Sequence, residues 1–117
     1  MTVKECYEKM DGDYEGTMAR MMKEERLNKF LVLFLSDTSY QMLCENMASK
    51  NVEEAFRAAH TLKGVTINLG LSKLNRASFE ITEALRAKDM DLAEKFLPDV
   101  TKIYEETIAA IKELSES

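Results

Sequence analysis

Apolar residues recur every three or four positions along almost the whole chain, and this periodicity restricts the possible folds more than any other feature. The pattern is typical of helices with one buried face. It is sustained over four long segments, at about residues 24–49, 51–69, 72–88 and 89–114. Long amphipathic helices joined by short loops pack best as antiparallel neighbours. The sequence therefore predicts an all-α fold, an antiparallel up-down four-helix bundle.

Two short additional N-terminal helices are predicted ahead of the bundle, over about residues 2–10 and 14–22. Asp11-Gly12-Asp13 separates them, because Asp and Gly both favour turns. We expect the pair to cap one end of the bundle. Residues 1–117 then form a single domain, with the cap helices at 1–23 and the four-helix bundle at 24–117.

Local signals predict where the second of the four long segments, 51–69, begins and ends. Asn51 is typical of an N-cap, and Glu54 at the third helical position would complete a capping box. Gly70 stands where a left-handed C-cap residue is needed. Ser72 is predicted to cap the next helix.

Two places weaken the helical pattern elsewhere. Ser36-Asp37-Thr38-Ser39 lies inside the segment 24–49, which we expect to bend or to break in two at that point. The final helix, capped by Asp89 or Asp91, contains Pro98, which should kink or interrupt it.

Charge and composition argue against several classes of protein. The net charge is −5 and no basic stripe is present, which argues against nucleic-acid binding. Cys6 and Cys44 are isolated, which predicts reduced thiols in a cytoplasmic protein. The longest apolar run, residues 30–35, is far shorter than the ~20 residues of a membrane span, and the N-terminus lacks a signal-peptide core. We expect no membrane association and a monomer.

The segment 51–69 carries the most informative side chains. On a helical wheel, one apolar stripe contains Ala55, Ala59, Leu62, Thr66 and Leu69. His60, the only histidine, lies on the opposite side together with Lys63 and Gly64.

A lone histidine is most often an ordinary residue, and a lysine on a polar face is usually just solvated. Glycine inside a helix, however, costs roughly 0.8–1 kcal/mol relative to alanine, and Gly64 lies on the wrong face for helix packing. Together these residues indicate a nucleophile that another surface approaches closely.

The same residues carry a family resemblance. His60-Thr61-Leu62-Lys63-Gly64, followed by Asn68-Leu69-Gly70, resembles the active helix of histidine-containing phosphotransfer (HPt) domains, with the pattern H-x-L-K-G and a glycine six residues later. The resemblance implies the four-helix fold and a phosphocarrier of multistep two-component phosphorelays. His60 would accept a phosphoryl group from the aspartate of a receiver domain and pass it to another receiver. Lys63 would offset the charge of the phosphoryl oxygens, and Gly64 would leave room for them.

The resemblance also implies the partners: response-regulator receiver domains and a hybrid histidine kinase. Magnesium would be bound by the receiver. This chain shows no glycine-rich phosphate loop or carboxylate cluster of its own, so we expect neither ATP binding, nor autokinase activity, nor any cofactor. Phe56 and Ile67 flank His60 on the helix and are candidate apolar docking residues, with Arg57 and Asn68 as possible polar contacts.

Two alternatives remain at this stage. The chain could be a helical adaptor that binds receiver domains or other partners without carrying phosphate. It could also be a generic helical domain in which the grouping of His60, Lys63 and Gly64 is a coincidence.

Overall fold

The computed structural model describes residues 1–117 and consists of helices and turns, which confirms the all-α prediction. The helices are α1 (Val3–Met10), α2 (Tyr14–Met21), α3 (Glu24–Phe34), α4 (Ser39–Ala48), α5 (Val52–Asn68), α6 (Ser72–Arg86) and α7 (Met90–Ser115). No helix combines the length and the apolar character that crossing a membrane requires.

The predicted segment 24–49 is broken in two, the second of the outcomes expected for it. At the end of α3, Leu35, Ser36 and Asp37 donate backbone hydrogen bonds to carbonyls three residues earlier, which tightens the last turn. The Asp37 carboxylate then accepts a hydrogen bond from the Ser39 backbone N–H at 2.8 Å, at the start of α4. The Asp37 side chain thus takes the place of a helical acceptor where the chain leaves α3 and enters α4.

The helices that follow pack in chain order, α4 against α5, α5 against α6, and α6 against α7. Short turns at 49–51, 69–71 and 87–89 join them. Their apolar faces share one core, whose largest fully buried aliphatic members include Leu43, Leu62, Leu74, Leu85 and Ile111. These contacts are consistent with the four-helix bundle, whose antiparallel up-down order stays a prediction.

The helix ends follow the local signals only in part. Asn51 is the N-cap of α5, as predicted, and its side chain accepts from the Glu54 backbone N–H at 3.2 Å. The reciprocal half of the capping box does not form, because the Glu54 carboxylate faces Arg57 instead, at 3.4 Å. The prediction for Ser72 is wrong: Leu71 occupies the N-cap position of α6, and Ser72 is the first helical residue.

The last helix runs unbroken over almost the range that the sequence predicts, 89–114. Asp89 is its N-cap and accepts a hydrogen bond from the Leu92 backbone N–H. The helix then continues through Pro98 to Ser115, so the predicted interruption does not occur. Buried Ala93 and Val100 hold the helix against the core on both sides of the proline.

The two N-terminal helices share α3 as a packing partner and also contact each other. α1 lies against α7 and α3, and α2 lies against α3. α1 buries Cys6, which is a free thiol like the half-buried Cys44, as predicted. α1 also brings the N-terminus next to the C-terminus: Lys9 pairs with Glu113, and the N-terminal ammonium donates to the Ser117 hydroxyl at 3.0 Å.

Candidate functional site

The two faces of α5 differ as the helical wheel predicts. The buried side chains on this helix are Ala55, Ala58, Ala59, Leu62 and Thr66. His60 is exposed on the other side. The predicted apolar stripe and the solvent-facing histidine therefore follow from the 3.6-residue repeat of one helix whose inner face packs against α4 and α6.

His60 has an aromatic neighbour on one side and open space on the other. The Phe56 ring, one turn earlier, is half-buried, and its centroid lies 5.7 Å from that of the His60 imidazole. One turn later, a Cβ atom added to Gly64 would meet no heavy atom within 4 Å. A partner can thus reach the imidazole from the Gly64 side without meeting a side chain at that position.

Helix α6 adds two side chains that the sequence reasoning missed. Lys63 Nζ lies 5.5 Å from the centroid of the Phe79 ring. The Arg86 guanidinium lies 4.9 Å from the centroid of the Phe56 ring. Both arrangements fall within the range of cation–π interactions. An aromatic residue outside the apolar row of α6 was the one sequence signal for Phe79.

A partly buried polar contact holds α6 beside the same part of α5. The Asn75 side-chain amide donates to the Lys63 carbonyl at 2.8 Å and to the Thr66 hydroxyl oxygen at 3.2 Å. The Thr66 hydroxyl in turn donates to the Leu62 carbonyl at 2.8 Å. The backbone around Lys63 and Gly64 is therefore fixed relative to α6.

The C-terminal end of α5 is closed by the N-terminal helices. The buried Tyr7 hydroxyl donates to the Leu69 carbonyl at 2.6 Å. The Asp13 backbone N–H donates to the Gly70 carbonyl at 2.8 Å, and the Arg20 guanidinium donates to the Asn68 carbonyl at 3.2 Å. The last carbonyls of a helix lack partners within it, so α1 and α2 supply the missing donors. These three hydrogen bonds are the contacts by which the N-terminal helices cap this end of α5.

An apolar groove opens between this end of α5 and helix α3. Its volume is about 490 Å³, and its walls include Phe30, Leu33, Val65 and Asn68. The Phe30 and Leu33 side chains are 40% and 53% exposed. Exposed apolar clusters of this kind are often interaction surfaces.

The predicted docking residues are spread along α5. Phe56 lies beside His60, whereas Arg57 is exposed and paired with Glu54. Ile67 is 57% exposed, and Asn68 lines the apolar groove. The structure thus places an apolar residue on each side of His60, with further apolar surface contributed by α3.

The Lys63 ammonium has no counter-ion. No carboxylate oxygen lies within salt-bridge distance of Lys63 Nζ, although six other basic side chains have such partners. The chain also has no group of three or more His, Cys, Asp or Glu side chains able to hold a metal ion. The site therefore offers an exposed imidazole, an ammonium group without a counter-ion and open space at a glycine.

Comparison with known proteins identifies the family of this chain. The model of the Hpt domain family matches residues 29–115, which include α4 to α7 and about half of α3. α1 and α2 lie outside the matched range. Comparisons with curated proteins and with solved structures give no match. Since the family model spans well over half of the chain, this protein belongs to the histidine-containing phosphotransfer (HPt) domain family.

Proposed function

We propose that this protein is a phosphocarrier of a multistep two-component phosphorelay and that His60 is its phosphoacceptor. HPt domains take part in histidine phosphotransfer in two-component signalling, and the chain belongs to that family. The observation that carries the assignment is the exposure of the single histidine on α5, beside an open glycine position.

The proposed reaction needs little from this chain beyond a positioned nucleophile. The unprotonated ring nitrogen of neutral His60 attacks the phosphorus of a receiver aspartyl phosphate. A nitrogen–phosphorus bond forms as the bond to the aspartate oxygen breaks, and the aspartate leaves as a carboxylate. The second ring nitrogen keeps its proton. Transfer to a second receiver aspartate reverses these steps.

Lys63 and Gly64 have distinct proposed roles in this reaction. The Lys63 ammonium, one turn from His60 and free of a counter-ion, offsets the negative charge of the phosphoryl oxygens. Gly64 leaves space for those oxygens and for the loops of the receiver. The receiver contributes the aspartate and Mg²⁺, so this chain requires no cofactor of its own in the proposed mechanism.

The partners in this proposal are receiver domains, including that of a hybrid histidine kinase. Phe56 and Ile67 provide apolar contacts on the two sides of His60, with Arg57 and Asn68 at the polar edge. The apolar groove extends this surface toward α3. A monomer that presents one such surface exchanges its phosphoryl group with one receiver at a time.

Mass spectrometry of the intact protein tests the proposal. The wild-type protein is incubated with a phosphorylated receiver domain or with phosphoramidate, a small phosphoryl donor. We expect a gain of one phosphoryl group that is labile in acid and stable in base. His60→Gln should abolish the gain from both donors. Thr61→Ala, at the next exposed position, is the matched control and should retain it.

Two results would contradict the assignment. Phosphorylation of His60→Gln would place the acceptor elsewhere. Absence of phosphorylation of the wild-type protein by either donor, combined with measurable binding to receivers, would favour the adaptor that carries no phosphate.

A further inference from the structure

We propose that Phe79 of α6 is a positioning residue for Lys63, whose ammonium it confines on the His60 face of α5 without neutralising its charge. This inference rests on the proposed function, because it concerns the role of Lys63 in phosphoryl transfer. Its starting observation is the 5.5 Å separation between Lys63 Nζ and the centroid of the Phe79 ring.

The Phe79 side chain is poorly explained by the core. It is 51% exposed, whereas its neighbours Ser78 and Ile81 on α6 are fully buried. About half of the residue thus remains exposed to water, and a face of the ring receives the lysine. Its contribution to core packing is correspondingly small, so a specific local contact is the better account of this residue.

Helix α6 holds Lys63 at two points. Asn75 donates to the Lys63 carbonyl, and Phe79, one turn later on the same helix, lies under the Lys63 ammonium. The first contact fixes the backbone and the second restricts the side chain. Lys63 is the only residue of α5 that receives both a hydrogen bond to its backbone and an aromatic contact to its side chain from α6.

The contact with the Phe79 ring restricts the Lys63 side chain and leaves its positive charge available for the phosphoryl group. A lysine side chain has many rotamers, and restricting them keeps its ammonium near the place where it acts. A carboxylate would restrict them too, as at Lys50 with Glu94, but it would also offset the charge. An aromatic ring attracts the cation only weakly and carries no net charge. A phosphoryl group on His60 can therefore draw the ammonium away from the ring.

The test compares Phe79→Leu, Phe79→Tyr and Lys63→Met with the double variant Lys63→Met/Phe79→Leu. The rate of phosphoryl uptake is measured with a phosphorylated receiver and with phosphoramidate. Phe79→Leu should slow uptake about two- to fivefold, as expected from the strength of an exposed cation–π contact. Phe79→Tyr keeps the ring and should stay within about twofold of the wild type.

The two donors separate positioning from docking. If Phe79 served only in docking, its replacement would slow uptake from the receiver and leave uptake from phosphoramidate unchanged. Positioning of Lys63 predicts slower uptake from both donors. It also predicts that Phe79→Leu has no further effect once Lys63 is replaced by Met, since the double-mutant cycle isolates the effect that passes through Lys63.

NMR of the unphosphorylated protein provides a readout that a general structural role would not change. The ε-methylene protons of Lys63 should show a ring-current shift that disappears in Phe79→Leu and persists in Phe79→Tyr. Unchanged uptake in Phe79→Leu from phosphoramidate, or an equal slowing in the Lys63→Met background, would overturn the inference. If the wild-type protein accepts no phosphoryl group, the proposed function fails first and this inference fails with it.

Discussion

Gly64 and Gly70 lie close together in the sequence, at the open face and the closed end of α5, but the surroundings of the two glycines differ. A Cβ atom at Gly64 would meet nothing within 4 Å. At Gly70 the backbone has a φ of +67°, and a Cβ atom would overlap the Thr17 hydroxyl and lie 2.9 Å from the Asp13 carbonyl oxygen. The fold itself excludes a side chain at Gly70, whereas nothing in the fold excludes one at Gly64.

This difference separates stability from function within one motif. Glycine is unfavourable inside a helix, so its presence at an unobstructed position needs a reason outside the folded chain. In the proposed function, the approach of a receiver supplies that reason at Gly64. At Gly70 the reason is internal, because the left-handed turn brings its carbonyl to the donor of Asp13. The predictions below test this division.

Gly70→Ala should have the largest effect on stability. A non-glycine residue in the left-handed conformation costs about 1–2 kcal/mol, and the overlap with Thr17 adds to it, so we expect a loss of about 2–4 kcal/mol. Urea unfolding measures the change. The double variant Gly70→Ala/Thr17→Ala should lose less stability than the sum of the two single variants, because the hydroxyl that overlaps the new Cβ atom is gone. A loss below about 0.5 kcal/mol would mean that the turn relaxes and that the closed end of α5 is not rigid.

Tyr7→Phe should destabilise the protein by about 2 kcal/mol. The substitution removes the hydrogen bond to the Leu69 carbonyl and leaves a carbonyl of the closed end without its partner. Tyr14→Phe on α2 is the matched control and should change the free energy of unfolding by less than about 0.5 kcal/mol. Uptake from phosphoramidate by folded Tyr7→Phe should be unchanged, because the variant leaves the open face intact.

Gly64→Ala should act in the opposite way. We expect the free energy of unfolding to rise by about 0.5–1 kcal/mol, since alanine is the better helix former. Phosphoryl uptake from a receiver should fall about tenfold, which corresponds to about 1.4 kcal/mol of barrier, because the new methyl group stands where the partner approaches. Uptake from phosphoramidate should stay within about twofold of the wild type. Equal receiver rates for both proteins would show that the open space at Gly64 is not used.

Alkaline pH should weaken the closed end. Burial, followed by the neighbouring Cys6, raises the pKa of the Tyr7 hydroxyl well above its ordinary range. The stabilisation is thus fully present below the unfolded-state pKa of about 10 and is lost as the pH rises above it. Relative to Tyr7→Phe, the wild type should lose about 1 kcal/mol between pH 9 and pH 11. Parallel stability curves for the two proteins would contradict this role of Tyr7.

The sequence predicts those features of the site that depend on local geometry. The exposure of His60 follows from the repeat of a single helix, and the N-cap at Asn51 and the left-handed turn at Gly70 follow from the preferences of single residues. Each of these predictions involves residues within a few positions of one another. They are accurate because no distant element has to be placed first.

The predictions for Glu54 and Ser72 failed locally, at the start of a helix, whereas the others that were wrong or incomplete depend on tertiary contacts. Pro98 does not interrupt α7, because the buried residues on both sides of it hold the helix in place. Phe79 and Tyr7 contact α5 from other helices, and a periodic pattern does not specify which residues of two helices meet. The break between α3 and α4 lies between these cases: its location was predicted, but bending and breaking are equally compatible with its polar residues.

The contact between the first and last helices makes the chain almost a closed loop. With the N-terminal ammonium 3.0 Å from the Ser117 hydroxyl, a short flexible peptide could join the two ends, and new termini could be opened in the exposed turn at 87–89. Such a circular permutant would keep α1 beside α7 and leave the His60 face undisturbed. It would also move both chain ends from the C-terminal end of α7 to the α6–α7 turn at the other end of that helix, so that a fused receiver could be supplied to the same histidine from a new direction.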